Sequence, residues 1–270
     1  MYMNMYVWVA IGYLVLGILA SLPRWHIWSK GSTFFWFGMA IVWLLHTFAL
    51  KNSIFIDHEI NLDVATAFSL LVALSVGVYT IGQKGFWKIS IKEMYRFWHL
   101  FLIPAACISA FPLVWQHSHF LISGGSVWMR THWWIGLLSL AMLNVATLQA
   151  IWLAHRGKYL KTSPAEFENT PSLLSLERSL FIWIWSSFAL LTITIISGTI
   201  FSEQLGYAPH WSHKVMFTLI TWCLLAHLLW RRSREGVRGY VVAKQLTWSY
   251  ALIILGYLGS KFVLEVLLKR

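Results

Sequence analysis

The sequence predicts an all-α, polytopic membrane bundle of about eight transmembrane helices with both termini outside, on the periplasmic side. Three observations carry that expectation. First, 58% of the 270 residues are apolar and only 11% are charged, whereas a soluble domain is roughly one quarter charged. Second, eight apolar stretches each approach the roughly 17–25 residues that a helix needs to span a hydrocarbon core. Third, Lys and Arg fall overwhelmingly into alternate connections between those stretches.

The first stretch, about 5–22, has no basic residue before it; Arg24 and Lys30 follow it instead. That order predicts a retained first helix rather than a cleaved signal peptide. The second and third, 34–50 and 64–82, are apolar nearly all round, so helical periodicity says little about which face is buried. The fourth, 97–115, contains Pro104 and Pro112, and a proline inside a helix removes a hydrogen bond and crowds the preceding turn, so a bend is expected there. The remaining stretches are 132–154, 179–201, 212–230 and 245–265. No internal repeat or low-complexity tract interrupts them. The longest polar connection, His155 to Arg178, is too short for a domain, so residues 1–270 are expected to form one integral membrane domain.

Charge sets the orientation. The odd-numbered connections hold fifteen of the 21 Lys and Arg residues, among them Arg24, Lys84, Arg96, Arg156, Arg178 and the cluster Arg231, Arg232, Arg234 and Arg238. The even-numbered ones hold Lys51, Arg130 and Lys214. Basic connections stay in the cytoplasm, so the odd connections are assigned there. The net charge of +11 is thereby a topology signal and gives no reason to expect nucleic acid as a partner. The Arg231–Arg238 cluster is expected to face anionic lipid of the bilayer.

Several chemistries are excluded. Cys107 and Cys223 lie in separate apolar runs and form no C-x-x-C pair, which removes a thiol reductase, a cysteine zinc site and a self-attached c-type haem. There is no G-x-S-x-G, P-loop, H-E-x-x-H or paired-carboxylate site, so hydrolase and nucleotide-driven readings have no support.

Histidine is the informative residue. His46, His58, His117, His119, His132, His210 and His213 map to the outer side, and His26, His99, His155 and His227 to the cytoplasmic side. Imidazole is a good ligand for iron, so outer histidines at helix ends suggest a metal or cofactor site. His46, in Trp43-Leu44-Leu45-His46-Thr47, is placed four residues inside the outer end of the second helix, roughly 6 Å along it. A polar side chain there needs either a ligand or a bonding partner on a neighbouring helix; both readings stand. His132 is expected to open the fifth helix and His213 the seventh. Trp133, Trp134 and Trp211 beside them read either as interfacial anchors or as flanks of a flat aromatic cofactor. Two facing imidazoles would supply both axial ligands of a haem. His58, His117 and His119 read as solvated loop groups, and His210 as a neighbour of the helix-seven start. Lys261 and Glu265 are an i,i+4 pair, with Glu265 a candidate to orient a ligand histidine.

The C-terminal third carries Trp211-Ser212-His213-Lys214, then Arg234-Glu235-Gly236-Val237-Arg238-Gly239, then Gly256-Tyr257-Leu258-Gly259-Ser260-Lys261. With Leu45-His46-Thr47, Thr131-His132 and Leu148-Gln149-Ala150, this order resembles the cytochrome c assembly membrane proteins, in particular their small eight-helix YpjD-like and HemX-like branch. The resemblance covers roughly residues 40–265 and is densest over 210–265. It implies a bundle in the bacterial inner (cytoplasmic) membrane that binds non-covalent, b-type haem. The positions it carries over as iron ligands are His46, His132 and His213. The haem-delivering members of the wider family have an outer W-G-x-x-W-x-W-D segment. This chain lacks it; Trp128 to Trp134 is Trp-rich without that pattern. Ligase activity is therefore not implied, and the chain is not expected to be an enzyme.

The resulting expectation is a membrane haem-binding protein that assists cytochrome c maturation or haem trafficking, with maturation components or a haem-biosynthesis enzyme as partners. The alternative is a non-catalytic membrane regulator or scaffold that docks a partner through its basic seventh connection and the 155–178 segment. A small-molecule transporter is the third reading, for which discontinuous helices with paired mid-membrane polar groups would be the sign.

Overall fold

The computed structural model describes residues 3–21, 29–56, 59–61, 63–85, 91–114, 121–122, 127–162, 173–200 and 213–259. Two compact units divide the chain, Met1–Gly124 and Gly125–Arg270.

The first unit holds α1 (Met3–Ser21), α2 (Ser29–Ile54), α3 (Val64–Gly85), α4 (Ile91–Ser109) and a single turn α5 (Phe111–Val114). The α1 helix buries Tyr6, Val9, Tyr13, Leu16 and Ala20, three or four residues apart, while Trp8, Ile11, Val15 and Ile18 stay exposed. Both faces are apolar, so the outer one suits lipid rather than water. It packs on α2 and α4; α3, mostly buried, lies against α2, α4 and α5. At the other end of the bundle Trp98 is fully enclosed by Phe35, Tyr79 and Phe101. The bend expected in the fourth stretch is a break at Ala110, two residues before Pro112. The ring nitrogen of Pro112 cannot donate to the carbonyl of Ile108, so the α-helical ladder stops and a fresh turn begins, with Leu113 N–H donating to Ala110 O at 2.9 Å. Pro104 is accommodated within α4.

Three short strands were not anticipated in the all-α bundle: β1 (Phe55–Ile56), β2 (Glu59–Asn61) and β3 (Leu121–Ile122). They form an antiparallel sheet in the order β1-β2-β3, with Phe55 opposite Ile60 and Ile60 opposite Ile122. Backbone amides in a connection near the bilayer need partners, and pairing two outer connections provides them. Next to this sheet Asp63 caps α3, its carboxylate accepting the Thr66 N–H at 2.6 Å.

The second unit holds α6 (Val127–Thr162), α7 (Leu173–Ile200), α8 (His213–Glu235) and α9 (Tyr240–Ile254), which ends in a π-helical turn over Leu255–Gly259. The first two run antiparallel along their length, α9 packs on α6, and α8 packs on α7 and α9. Between α6 and α7, Ser139 and Ser187 exchange bonds, each hydroxyl donating to the other's carbonyl at 3.1 Å. Farther along, the Gln149 amide donates to Leu176 O and to Ser179 Oγ, both at 3.3 Å. The connection expected from His155 to Arg178 is largely helical at both ends, because α6 continues to Thr162 and α7 begins at Leu173.

Among the described residues six helices are long and apolar enough to cross a membrane: Asn4–Ser21, Phe34–Ile54, Val64–Gly82, Val127–Lys158, Leu173–Ile200 and His213–Glu235. The apolar part of the fourth stretch is shorter, Phe101–Val114. Together with α4 and α9 these give the eight principal helices of a polytopic membrane bundle.

Candidate functional site

The α2 helix runs to Ile54, past the predicted end at 50. His46 is therefore eight residues from the helix end, about 12 Å along it at 1.5 Å per residue, twice the expected offset. It is fully buried and both ring nitrogens are engaged. Nδ1 lies 3.1 Å from the Tyr13 hydroxyl of α1, and Nε2 lies 2.8 Å from Ser69 Oγ of α3. A neutral imidazole has one donor and one acceptor nitrogen. If Tyr13 donates to Nδ1, Nε2–H donates to Ser69, whose own proton can reach a carbonyl one turn back, as helical serines do. The reverse polarity orphans a buried phenol proton, so Tyr13 is the donor. His46 ties three helices of the first unit together, which is the partner-bonded arrangement allowed for it on sequence grounds.

His132 differs in kind. The α6 helix begins at Val127, not at His132, so the side chain sits five residues inside the helix, about 7.5 Å along it. The ring is half-buried. Nδ1 lies 2.9 Å from Ser197 Oγ on α7, and Nε2 has no hydrogen-bond partner among the described residues. The imidazole lies against Gly198: a Cβ built there would stand 3.2 Å from His132 Cε1. That is a tight contact, so a methyl group there would require the ring to give by a few tenths of an ångström.

His213 is the first residue of α8, as expected, and is exposed. Measured along their own helices, the three histidines are not at one depth from the helix ends: about 12 Å, about 7.5 Å and none. His46 belongs to the first unit, and His132 and His213 to the second. Trp133 is half-buried and Trp134 exposed. Trp211, His58, His117, His119, His210, Lys261 and Glu265 lie outside the described residues. Among the described residues no three His, Cys, Asp or Glu side chains converge as a metal site.

On the side assigned to the cytoplasm, the basic cluster is less free than its composition implies. Glu177 of α7 is buried, and its carboxylate lies 3.6 Å from Arg232 and 3.4 Å from Arg238. Arg232 also lies over the Phe181 ring and donates to Val237 O at 3.0 Å. Arg231 pairs with Glu235 one turn on. Arg234-Glu235-Gly236-Val237-Arg238-Gly239 is thus the α8–α9 turn; Gly236 has φ +66°, and its N–H closes the helix on Arg232 O.

Tyr13, Ser69, Ser197, Gly198 and Glu177 were not singled out from sequence. The available signal was that polar residues inside apolar spans need partners; which partner each one finds depends on helix packing.

Comparison with known proteins places residues 4–268 within the model of the family described as cytochrome C assembly protein. The chain is similar to the inner membrane protein YpjD of Escherichia coli, 26% identical over 86% of this chain and 89% of that protein. It is also similar to the cytochrome c biogenesis protein CcsA of Chlamydomonas reinhardtii, 27% identical over 52% of this chain and 39% of the relative. The CcsA of Prochlorococcus marinus is 33% identical over 37% of this chain and 32% of the relative. The chain therefore spans only a minor part of the CcsA relatives. No solved structure matches it.

Proposed function

The chain belongs to the cytochrome c assembly protein family and is a multi-pass inner-membrane protein, and from that premise we propose that it serves cytochrome c biogenesis by binding non-covalent, b-type haem. The observation that carries the haem reading is the environment of His132. One ring nitrogen is held by Ser197 while the other has no partner among the described residues, and the side chain lies inside an apolar span, where an unsatisfied polar atom is costly. His132 would suit the role of an iron ligand whose orientation is fixed by a hydrogen bond on its far nitrogen.

His213, in the same unit as His132, would be the second iron ligand, and His46 is the third position that the family resemblance carries over. His213 is exposed at the start of α8. His46 reaches iron only if Ser69 releases Nε2, because both of its nitrogens are bonded within the protein. Trp133, Trp134 and Trp211 would pack on the macrocycle and seal it from lipid. Haem, if bound, would supply an iron centre; His132 and its companion histidine would hold it, Ser197 would orient the His132 ring, and the helices would give an apolar surround. Because the sequence lacks the W-G-x-x-W-x-W-D segment, the proposed role is assistance in maturation or haem trafficking, alongside maturation components or a haem-biosynthesis enzyme, rather than ligation of haem to an apocytochrome.

The deciding measurement is the visible absorption spectrum of detergent-purified protein expressed with supplied haem. A Soret band that is weakened or shifted in His132→Ala supports the reading. Absence of the band in the parent protein, or an unchanged spectrum in a variant with His46, His132 and His213 all replaced by Ala, overturns it.

A further inference from the structure

We propose that Ser197 fixes His132 in the Nδ1–H tautomer, with Gly198 admitting the ring, so that Nε2 is the atom left to bind a ligand. The ligand half of this statement rests on the haem reading above; the tautomer half does not.

The argument is one of proton counting. A serine hydroxyl has a single proton and two lone pairs. Ser197 Oγ is 3.0 Å from the Thr194 carbonyl, one turn back on α7, and 2.9 Å from His132 Nδ1. Both separations are hydrogen-bond distances. The carbonyl can only accept, so the contact with Thr194 is a bond only if the hydroxyl proton points there. Ser197 then presents a lone pair to His132, and Nδ1 must carry the imidazole proton. If the imidazole were protonated on Nε2 instead, Ser197 would have to turn its proton to Nδ1, and the contact with Thr194 would cease to be a bond. One protonation pattern satisfies both contacts; the other satisfies one.

Gly198 supplies the second half of the geometry. It is the next residue on α7, and a Cβ there would stand 3.2 Å from Cε1, the carbon between the two ring nitrogens, and 4.0 Å from Nε2. A side chain there would crowd the ring, which would have to give by a few tenths of an ångström to admit even a methyl group. A hydroxyl that accepts at Nδ1, beside a position with no side chain under Cε1, fixes ring orientation as well as tautomer. In metal sites a far-side acceptor of this kind makes the imidazole a better and better-aimed ligand, and its loss typically costs about 10- to 100-fold in affinity. Ser197 is thus a positioning residue that acts through His132.

The test begins on haem-free protein. Histidine is labelled with nitrogen-15, the protein is held in detergent or nanodiscs at mildly alkaline pH, and the His132 signals are identified by their absence in His132→Gln. The expected spectrum has a protonated Nδ1 and a bare, strongly deshielded Nε2. Ser197→Ala should move the population toward Nε2–H, and Ser197→Thr, which keeps the hydroxyl, should restore the parent pattern. An Nε2–H form in the parent protein overturns the proposal, and so does an Nδ1–H form that Ser197→Ala leaves unchanged. The parent measurement needs no variant to fold other than the one used for assignment.

Haem titration is the second arm. Ser197→Ala should weaken binding about 10- to 100-fold, with Ser197→Thr close to the parent. If the parent shows the Nδ1–H form but takes up no haem, the tautomer lock stands and the haem reading falls. If haem binds through His132 in a parent protein with the Nε2–H form, the haem reading stands and the lock falls.

Discussion

Arg232, in the last turn of α8, lies 3.6 Å from the carboxylate of Glu177, near the start of α7, and Arg238 approaches the same oxygen to 3.4 Å. A buried acid therefore gathers the α8–α9 turn against α7, and three of the four arginines in the basic cluster have a carboxylate partner within the protein, Arg232 and Arg238 in Glu177 and Arg231 in Glu235. Removing the acid leaves Arg232 without its carboxylate in a largely enclosed position. Loss of one member of a fully buried pair costs about 3–5 kcal/mol. Arg232 is 24% and Arg238 57% exposed, so solvent screening reduces the expected cost of Glu177→Ala to about 2 kcal/mol. Denaturant unfolding in detergent should show it, together with faster trypsin cleavage at the α8–α9 turn in inside-out vesicles. If both are unchanged, the pairing contributes nothing.

The reciprocal bonds of Ser139 and Ser187 mark a close approach of α6 and α7. Interhelical bonds of this type inside membranes average about 0.6 kcal/mol, so Ser139→Ala with Ser187→Ala should cost about 1 kcal/mol. Replacing both by Leu should cost distinctly more, because bulk at this seam forces the helices apart. Equal stability of the two double variants would refute a tight seam.

The Tyr13–His46 bond predicts strong coupling. Tyr13→Phe leaves a buried imidazole nitrogen without a partner and should cost about 1–3 kcal/mol. Combining it with His46→Leu, which removes the orphaned atom, should cost less than the two single changes added together. Additive costs would mean that the 3.1 Å contact is not a stabilising bond. The same variants sharpen the haem question, since a His46 that serves only to join helices can be removed with the Soret band intact.

Gln149 gives a prediction of the opposite kind. Its amide nitrogen makes two bonds at 3.3 Å, near the long limit, while its buried Oε1 has no partner among the described residues. Gln149→Leu removes weak bonds and an unsatisfied acceptor at once, so the stability change should stay within about 1 kcal/mol. A loss of several kcal/mol would show that the amide oxygen is bonded in the membrane-embedded protein.

Hydropathy and charge located all eight principal helices, and the break before Pro112 was legible because proline's missing N–H acts locally. Helix ends were less so. The α2 and α6 helices run past the predicted limits because Lys51, Asn52 and Ser53, and at the other site Val127 to Thr131, continue the helix into the interface. That extension places His46 and His132 farther inside than a hydropathy boundary implies. The strand pairing of Ile60 and Asn61 with Ile122 and Leu121 was hidden because it joins connections sixty residues apart. His213 at the start of α8 was read correctly, since a helix start after a polar connection is a local feature.

Family membership was determined by the sequence alone, and the expected membrane orientation and the three candidate histidines were read from it without the structure. Each depends on local composition or on short motifs, and apolar length and basic connections act through the bilayer without reference to tertiary contacts. Which histidine is enclosed and which has a nitrogen to offer was decided only by the tertiary structure. Helices apolar on every face do not announce which neighbours they meet. The fate of His46 therefore turns on Tyr13 and Ser69, and that of His132 on Ser197 and Gly198, partners supplied by packing across distances that no sequence period encodes.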